Sequence, residues 1–215
     1  MRYTATYDGA LGETRVELAS NCYTDAHPLL STIIIRQQEI DLKSQSLALA
    51  CALLTSSYCG EVFQFDGIQI GGDYAEAIRM VLRTGANING VDGHYRTISA
   101  GELDLCCEKS RSNVRGPTAK LRQDTVPLIR LTWSGDFVSR STRTSENFAF
   151  GQIHTNAEYF ADQDIVSIAL ALLHGRDRLR NIYVEREYDS VTSNLSAVER
   201  SLGTVGIGLE YLQAA

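Results

Sequence analysis

Residues Leu47-Ala48-Leu49-Ala50-Cys51-Ala52-Leu53-Leu54 form an unbroken apolar run with no polar face. Its residue types suit a helix, and a helix that is apolar all round is surrounded by protein. The chain is therefore expected to build its core around an interior helix that begins after Asp41. The run falls far short of the roughly 20 apolar residues a membrane-spanning helix needs, so no membrane passage is expected.

On the N-terminal side, Tyr3-Thr4-Ala5-Thr6-Tyr7 and Thr14-Arg15-Val16-Glu17-Leu18 alternate with the two-residue period of a strand. Asp8-Gly9 between them supplies turn chemistry, which predicts a hairpin. Ile33-Ile34-Ile35 cannot alternate and reads as a strand covered on both faces.

On the C-terminal side, Val62-Phe63-Gln64-Phe65 and Ile68-Gln69-Ile70 read as two short strands folded on Asp66-Gly67. Gly71-Gly72 then precede Asp73, a helix cap with Glu76 three residues on. Tyr74, Ala77, Ile78, Val81 and Leu82 share the apolar face of that helix, Glu76, Arg79 and Arg83 share the other, and Gly85 is a natural stop. Leu103, Leu105 and Cys107 alternate with Glu102, Asp104 and Cys106 as in a half-exposed strand.

After Pro127 the order of signals repeats. Leu128 to Trp133, Ser134-Gly135-Asp136 and Phe137-Val138 suggest a hairpin-like unit, and Phe148-Ala149-Phe150 a strand. Asp164 is placed to cap a helix over Ile165 to Leu173. Asn181 to Tyr188 reads as a strand, Ser193 or Asn194 caps a short helix to Leu202, and Val205 to Leu212 closes the chain. Ala52-Leu53-Leu54 matches Ala171-Leu172-Leu173, and Ala77-Ile78 with Leu82 matches Ala197-Val198 with Leu202.

These readings predict an α+β protein of two related halves, each a β-hairpin plus a ferredoxin-like (split βαβ) unit, with antiparallel or mixed sheets and helices on one face. Residues 1–108 and 127–215 form the halves, and residues 109–126 a basic connector. A chain of 215 residues, 44% hydrophobic and 21% charged, can bury such a core without disulfide or metal staples.

Met1-Arg2-Tyr3-Thr4-Ala5-Thr6 has a basic residue but no apolar stretch behind it, so a cytoplasmic location is expected. The five cysteines, an odd set with no CxxC, are then expected to be thiols. The four histidines, His27, His94, His154 and His174, lie too far from one another and from cysteine to suggest a metal site. No cofactor motif is present either. Gly203-x-x-Gly206-x-Gly208 leads from helix to strand, the reverse of the dinucleotide-binding order. Gly71-Gly72 lacks the Lys-Ser/Thr pair of a P-loop.

Two turns gather polar chemistry. Asp92-Gly93-His94-Tyr95-Arg96 brings an imidazole and a guanidinium to one loop, and His174-Gly175-Arg176-Asp177-Arg178 does so where a helix ends. His94, Arg96, His154, Arg176 and Arg178 are thus the candidate ligand-binding residues, suited to a small anionic ligand. His27 and His154 hold comparable positions in the two halves and are candidates for a pair. Lys109, Arg111, Arg115, Lys120 and Arg122 in the connector are candidates for contact with an acidic partner or RNA. The net charge of −6 and the lack of interleaved aromatics disfavour RNA.

No nucleophile stands at a recognisable spacing from a base. The expected function is therefore a non-catalytic binding or assembly protein, with a protein partner or self-association. The rivals are a small-molecule enzyme acting on an anionic substrate between the halves and an RNA-binding protein of tandem ferredoxin-like units.

Overall fold

A computed structural model describes residues 1–36, 40–82, 85–93, 101–109, 128–135, 144–145, 148–175, 178–186 and 195–213. Strands β1 (Arg2–Asp8) and β2 (Glu13–Ala19) form the expected hairpin, in register from Arg2 opposite Ala19 to Asp8 opposite Glu13. Its turn is closed by the Asp8 carboxylate, which accepts from the amides of Ala10 at 3.0 Å and Leu11 at 3.3 Å. Gly12, at φ +60°, supplies the left-handed residue that returns the chain to β2. Strand β3 (Thr32–Arg36) adds antiparallel to β2, with Ile33 and Ile35 in the core and Ile34 half-buried on the other face.

Helix α1 (Gln45–Thr55) is buried along its whole length, as its all-round apolar sequence requires. Ser44 caps it by accepting the Ser46 amide at 3.2 Å. The Tyr3 and Thr55 hydroxyls meet at 2.6 Å and fix α1 to β1.

Strand β4 (Val62–Phe65) does not fold back on the residues after Gly67, which corrects the sequence expectation. It lies parallel to β1 and to β6 (Asn87–Ile88), while β5 (Ile70–Gly71) pairs in parallel with β7 (Val91–Asp92). Asp66-Gly67 is thus a bend between strands of separate ladders. Helix α2 (Gly72–Leu82) presents the expected face, burying Tyr74, Ala75, Ala77, Ile78, Val81 and Leu82.

Strand β8 (Leu103–Lys109) runs parallel between β9 (Leu128–Ser134) and β12 (Leu179–Arg186). It is not half-exposed: Asp104, Leu105, Cys106 and Cys107 are all buried. Asp104 tolerates this because Arg180 grips it through two bonds, at 2.9 and 2.6 Å, and Asn181 through a third at 3.1 Å. The other neighbour of β9 is β11 (Phe148–Thr155), in parallel; Asp136, Phe137 and Val138, through which the hairpin-like unit is expected, fall outside the described residues. Strand β10 (Thr144–Ser145) pairs antiparallel with β11.

Beyond β11 a single 3-10 turn (Ala157–Tyr159) leads to helix α3 (Gln163–Gly175), buried over nearly its full length. Its cap is Asp162, which accepts the Ile165 amide at 3.2 Å, in place of the expected Asp164. Helix α4 (Leu195–Thr204) and strand β13 (Gly208–Gln213) complete the described chain. A Cβ at Gly208 would lie 2.2 Å from Asn181 Oδ1, so the glycine leaves room for the Asn181 side chain.

The main sheet runs β13-β12-β8-β9-β11-β3-β2-β1-β4-β6. It is a mixed sheet, antiparallel through β1, β2, β3 and the β3–β11 junction and parallel elsewhere on this path. α1 packs against α3 and α2, and α2 against α4. Trp133 Nε1 donates to Ser167 Oγ at 2.9 Å, tying β9 to α3, and Ser201 Oγ donates to the Ala77 carbonyl at 2.9 Å, tying α4 to α2. No helix among the described residues is long and apolar enough to cross a membrane.

Candidate functional site

Strands β3 and β11 meet over two register pairs, His154 opposite Arg36 and Thr155 opposite Ile35. The Asn156 side chain prolongs this short ladder: its Oδ1 accepts the Ile34 amide at 2.8 Å and its Nδ2 donates to the Thr32 carbonyl at 2.9 Å. Register partners share a face, so Glu13, Arg36, His154 and Ser134 line up across β2, β3, β11 and β9. They lie on the side of the sheet opposite Ile35, Ile153 and Trp133.

His154 is buried, with Nδ1 3.2 Å from Ser134 Oγ. Glu13 is fully buried and accepts from Arg15 Nε and Arg36 Nε, each at 2.5 Å. Burial alone would raise the Glu13 pKa; the bonds from Arg36 and Arg15 outweigh it and hold the carboxyl below its usual range. A hydroxyl bonded to an imidazole is part of a nucleophilic arrangement. The guanidinium beside it, however, already serves Glu13, so within this row Glu13 and Arg36 tie β2 to β3 while Ser134 and His154 tie β9 to β11.

Of the cleft residues expected from sequence, His154 is placed in this row and Arg178 is exposed at the entry to β12. Strands β11 and β12 are separated by β9 and β8. His94, Arg96 and Arg176 lie outside the described residues, as do Arg111, Arg115, Lys120 and Arg122; Lys109 ends β8 opposite Trp133. His174 occupies the last turn of α3, the end its charge complements. His27 is exposed in segment 20–31, whereas its expected partner His154 is buried. Among the described residues no three His, Cys, Asp or Glu side chains gather as a metal site.

A second feature went unread in the sequence. The segment between β2 and β3 is closed by the Leu18 amide donating to the Ser31 carbonyl at 2.8 Å. Asp25 anchors it from within: its carboxylate accepts from the Met1 ammonium, from the Gly60 amide at 2.8 Å and from the Asn21 amide at 2.9 Å. Burial would raise the Asp25 pKa, but these bonds hold it far below the ordinary carboxylate range. Thr24 Oγ1 accepts the Glu61 amide at 3.1 Å, and the Ala26 amide donates to the Tyr58 carbonyl at 2.9 Å. Tyr58 in turn meets Phe160 edge-on at 6.4 Å.

Segments 20–31, 56–61 and 156–162 are therefore tied together at one end of the sheet. They hold Tyr23 at 93% exposure, Leu29 at 89%, Tyr159 at 59% and Leu30, also exposed. The signal available in the sequence was Tyr23, Leu29 and Leu30 standing in a stretch otherwise made of small, polar or turn-forming residues.

No protein-family model, curated protein or solved structure matches this chain.

Proposed function

We propose that this protein is a non-catalytic binding or assembly module on a pseudo-twofold α+β scaffold, and that the end carrying Tyr23, Leu29, Leu30 and Tyr159 is its contact surface. The duplication is supported by which elements touch. β3 meets β11 antiparallel, α1 packs on α3 and α2 on α4, so counterparts face one another as a twofold axis would arrange them. The strand order outward from the junction also recurs, as β3-β2-β1-β4-β6 and β11-β9-β8-β12-β13. The unit this supports has three strands followed by two helix crossovers, with β8 in the second half, in place of a ferredoxin-like order. Along this path β9 departs from its counterpart, since β2 is antiparallel to its neighbours and β9 is parallel, and β5, β7 and β10 have no described counterpart.

The observation that carries the binding reading is the combination of exposed apolar side chains with a rigid support. Solvent exposure of Tyr23 and Leu29 gains the isolated chain nothing, yet the loop bearing them is held by a buried ion pair and main-chain bonds. Preordered aromatic and aliphatic groups are what protein interfaces use as anchors. The anionic-substrate alternative has less support: Arg36 and Arg180 are each engaged by a carboxylate.

Affinity capture from the native host, run in parallel with a Tyr23→Ser/Leu29→Ser variant, tests the reading. A protein recovered with the natural chain and lost with the variant supports it. Robust turnover in a screen of nucleotide and sugar-phosphate pools overturns it.

A further inference from the structure

We infer that the occupant of this surface is a basic, apolar segment of another protein, and neither the same surface of a second copy nor an anionic membrane. The inference rests on the binding reading above and adds the chemistry of the partner. Segments 20–31, 56–61 and 156–162 contain no Lys or Arg, although the chain has 20 of them. They do contain Asp25, Glu61, Glu158 and Asp162. Asp25 is consumed internally, but Glu61 and Asp162 are exposed and Glu158 is half-exposed beside Tyr159.

The backbone at Glu61 and the side chain of Asp162 are held by contacts within the same three segments and the start of α3. The Glu61 amide is bonded to Thr24, the neighbour of Tyr23, and Asp162 caps α3 just beyond the turn that carries Tyr159. Exposed apolar anchors accompanied by carboxylates and by no Lys or Arg in the same segments suit a partner that brings Leu- or Phe-type side chains flanked by Lys or Arg.

The same charges argue against the other occupants. A twofold contact of this surface with itself would set carboxylates against carboxylates. An anionic bilayer would likewise be repelled, since a peripheral membrane face needs Lys or Arg beside its apolar groups.

The test uses the full chain and two fluorescein-labelled synthetic helical peptides with identical leucine positions, one with lysine and one with glutamate at every polar position. Fluorescence anisotropy at low salt is expected to show the lysine peptide binding at least about tenfold more tightly than the glutamate peptide. Tyr23→Ser/Leu29→Ser should weaken that binding by about tenfold, and Glu61→Lys by about threefold or more. Equal binding of the two peptides, abolished by Tyr23→Ser/Leu29→Ser, overturns the charge inference and leaves the binding surface standing. Binding of neither peptide, or binding untouched by those substitutions, overturns both. Sedimentation equilibrium that reveals a dimer dissociated by Tyr23→Ser would assign the surface to a second copy and overturn the inference.

Discussion

The Asp25 carboxylate stands 2.8 Å from the Met1 ammonium with both groups shut off from solvent. An ion pair in that position is costly to break from one side, because the remaining charge stays buried without a counterion. Asp25→Ala is expected to lower the unfolding free energy by about 3–5 kcal/mol, read from guanidinium denaturation. The pH dependence comes from the depressed pKa of Asp25. Its contribution is complete above roughly pH 4, the ordinary carboxyl value, and fades as pH falls toward the lower folded value. Unfolding curves of Asp25→Asn should therefore lose much of the acid-limb slope shown by the natural chain; identical slopes would show that Asp25 does not govern acid stability.

Gly60 tests how far the loop depends on close packing. A Cβ there would lie 2.7 Å from the backbone C and O of Thr24, atoms that no rotamer change can move aside. Gly60→Ala is expected to cost about 1–3 kcal/mol and to quicken amide exchange across segment 20–31. Gly72→Ala is the control: its Cβ would meet nothing within 4 Å, and stability should stay within about 0.5 kcal/mol. Equal effects of the two substitutions would remove the case for a rigid loop.

Both features lie at the limit of what the sequence could disclose. The interior helix and the first hairpin were legible because Leu47–Leu54 and the alternation around Asp8-Gly9 are local patterns. The partners of β4 were not, since parallel ladders carry no turn signal and Asp66-Gly67 imitates one. Asp104 suggested an exposed face on β8 because its neutralising Arg180 is 76 positions away. His154 stood out in the sequence as one of only four histidines. Its neighbours were hidden because the β3–β11 junction joins residues as far apart as Ile34 and Asn156, 122 positions along the chain.

The ion pair beside that junction yields a prediction of its own. Glu13 is buried between Arg15 and Arg36, and Arg36 lies across the ladder from His154. Glu13→Gln removes the charge but keeps the volume, so two guanidinia are left without their shared acceptor charge. A loss of about 1–3 kcal/mol is expected, with faster amide exchange in β2 and β3 than in α1. In a double-mutant cycle with Arg36→Met, a coupling near zero would show that the ion pair contributes nothing to holding β2 against β3.

The exposed end makes the opposite demand on stability. Tyr23 and Leu29 bury almost none of their apolar area, so Tyr23→Ser and Leu29→Ser forfeit almost no hydrophobic stabilisation. Each should leave the unfolding free energy within about 0.5 kcal/mol of the natural chain. Leu170→Ala in α3, at a fully buried position, should cost about 2–5 kcal/mol through lost contacts and a residual cavity. Unchanged stability would leave those side chains free to serve a contact outside the chain, as the binding reading requires. A drop of several degrees in Tm for Tyr23→Ser would instead show that the loop packs against its own protein, and the contact surface would have to be sought elsewhere.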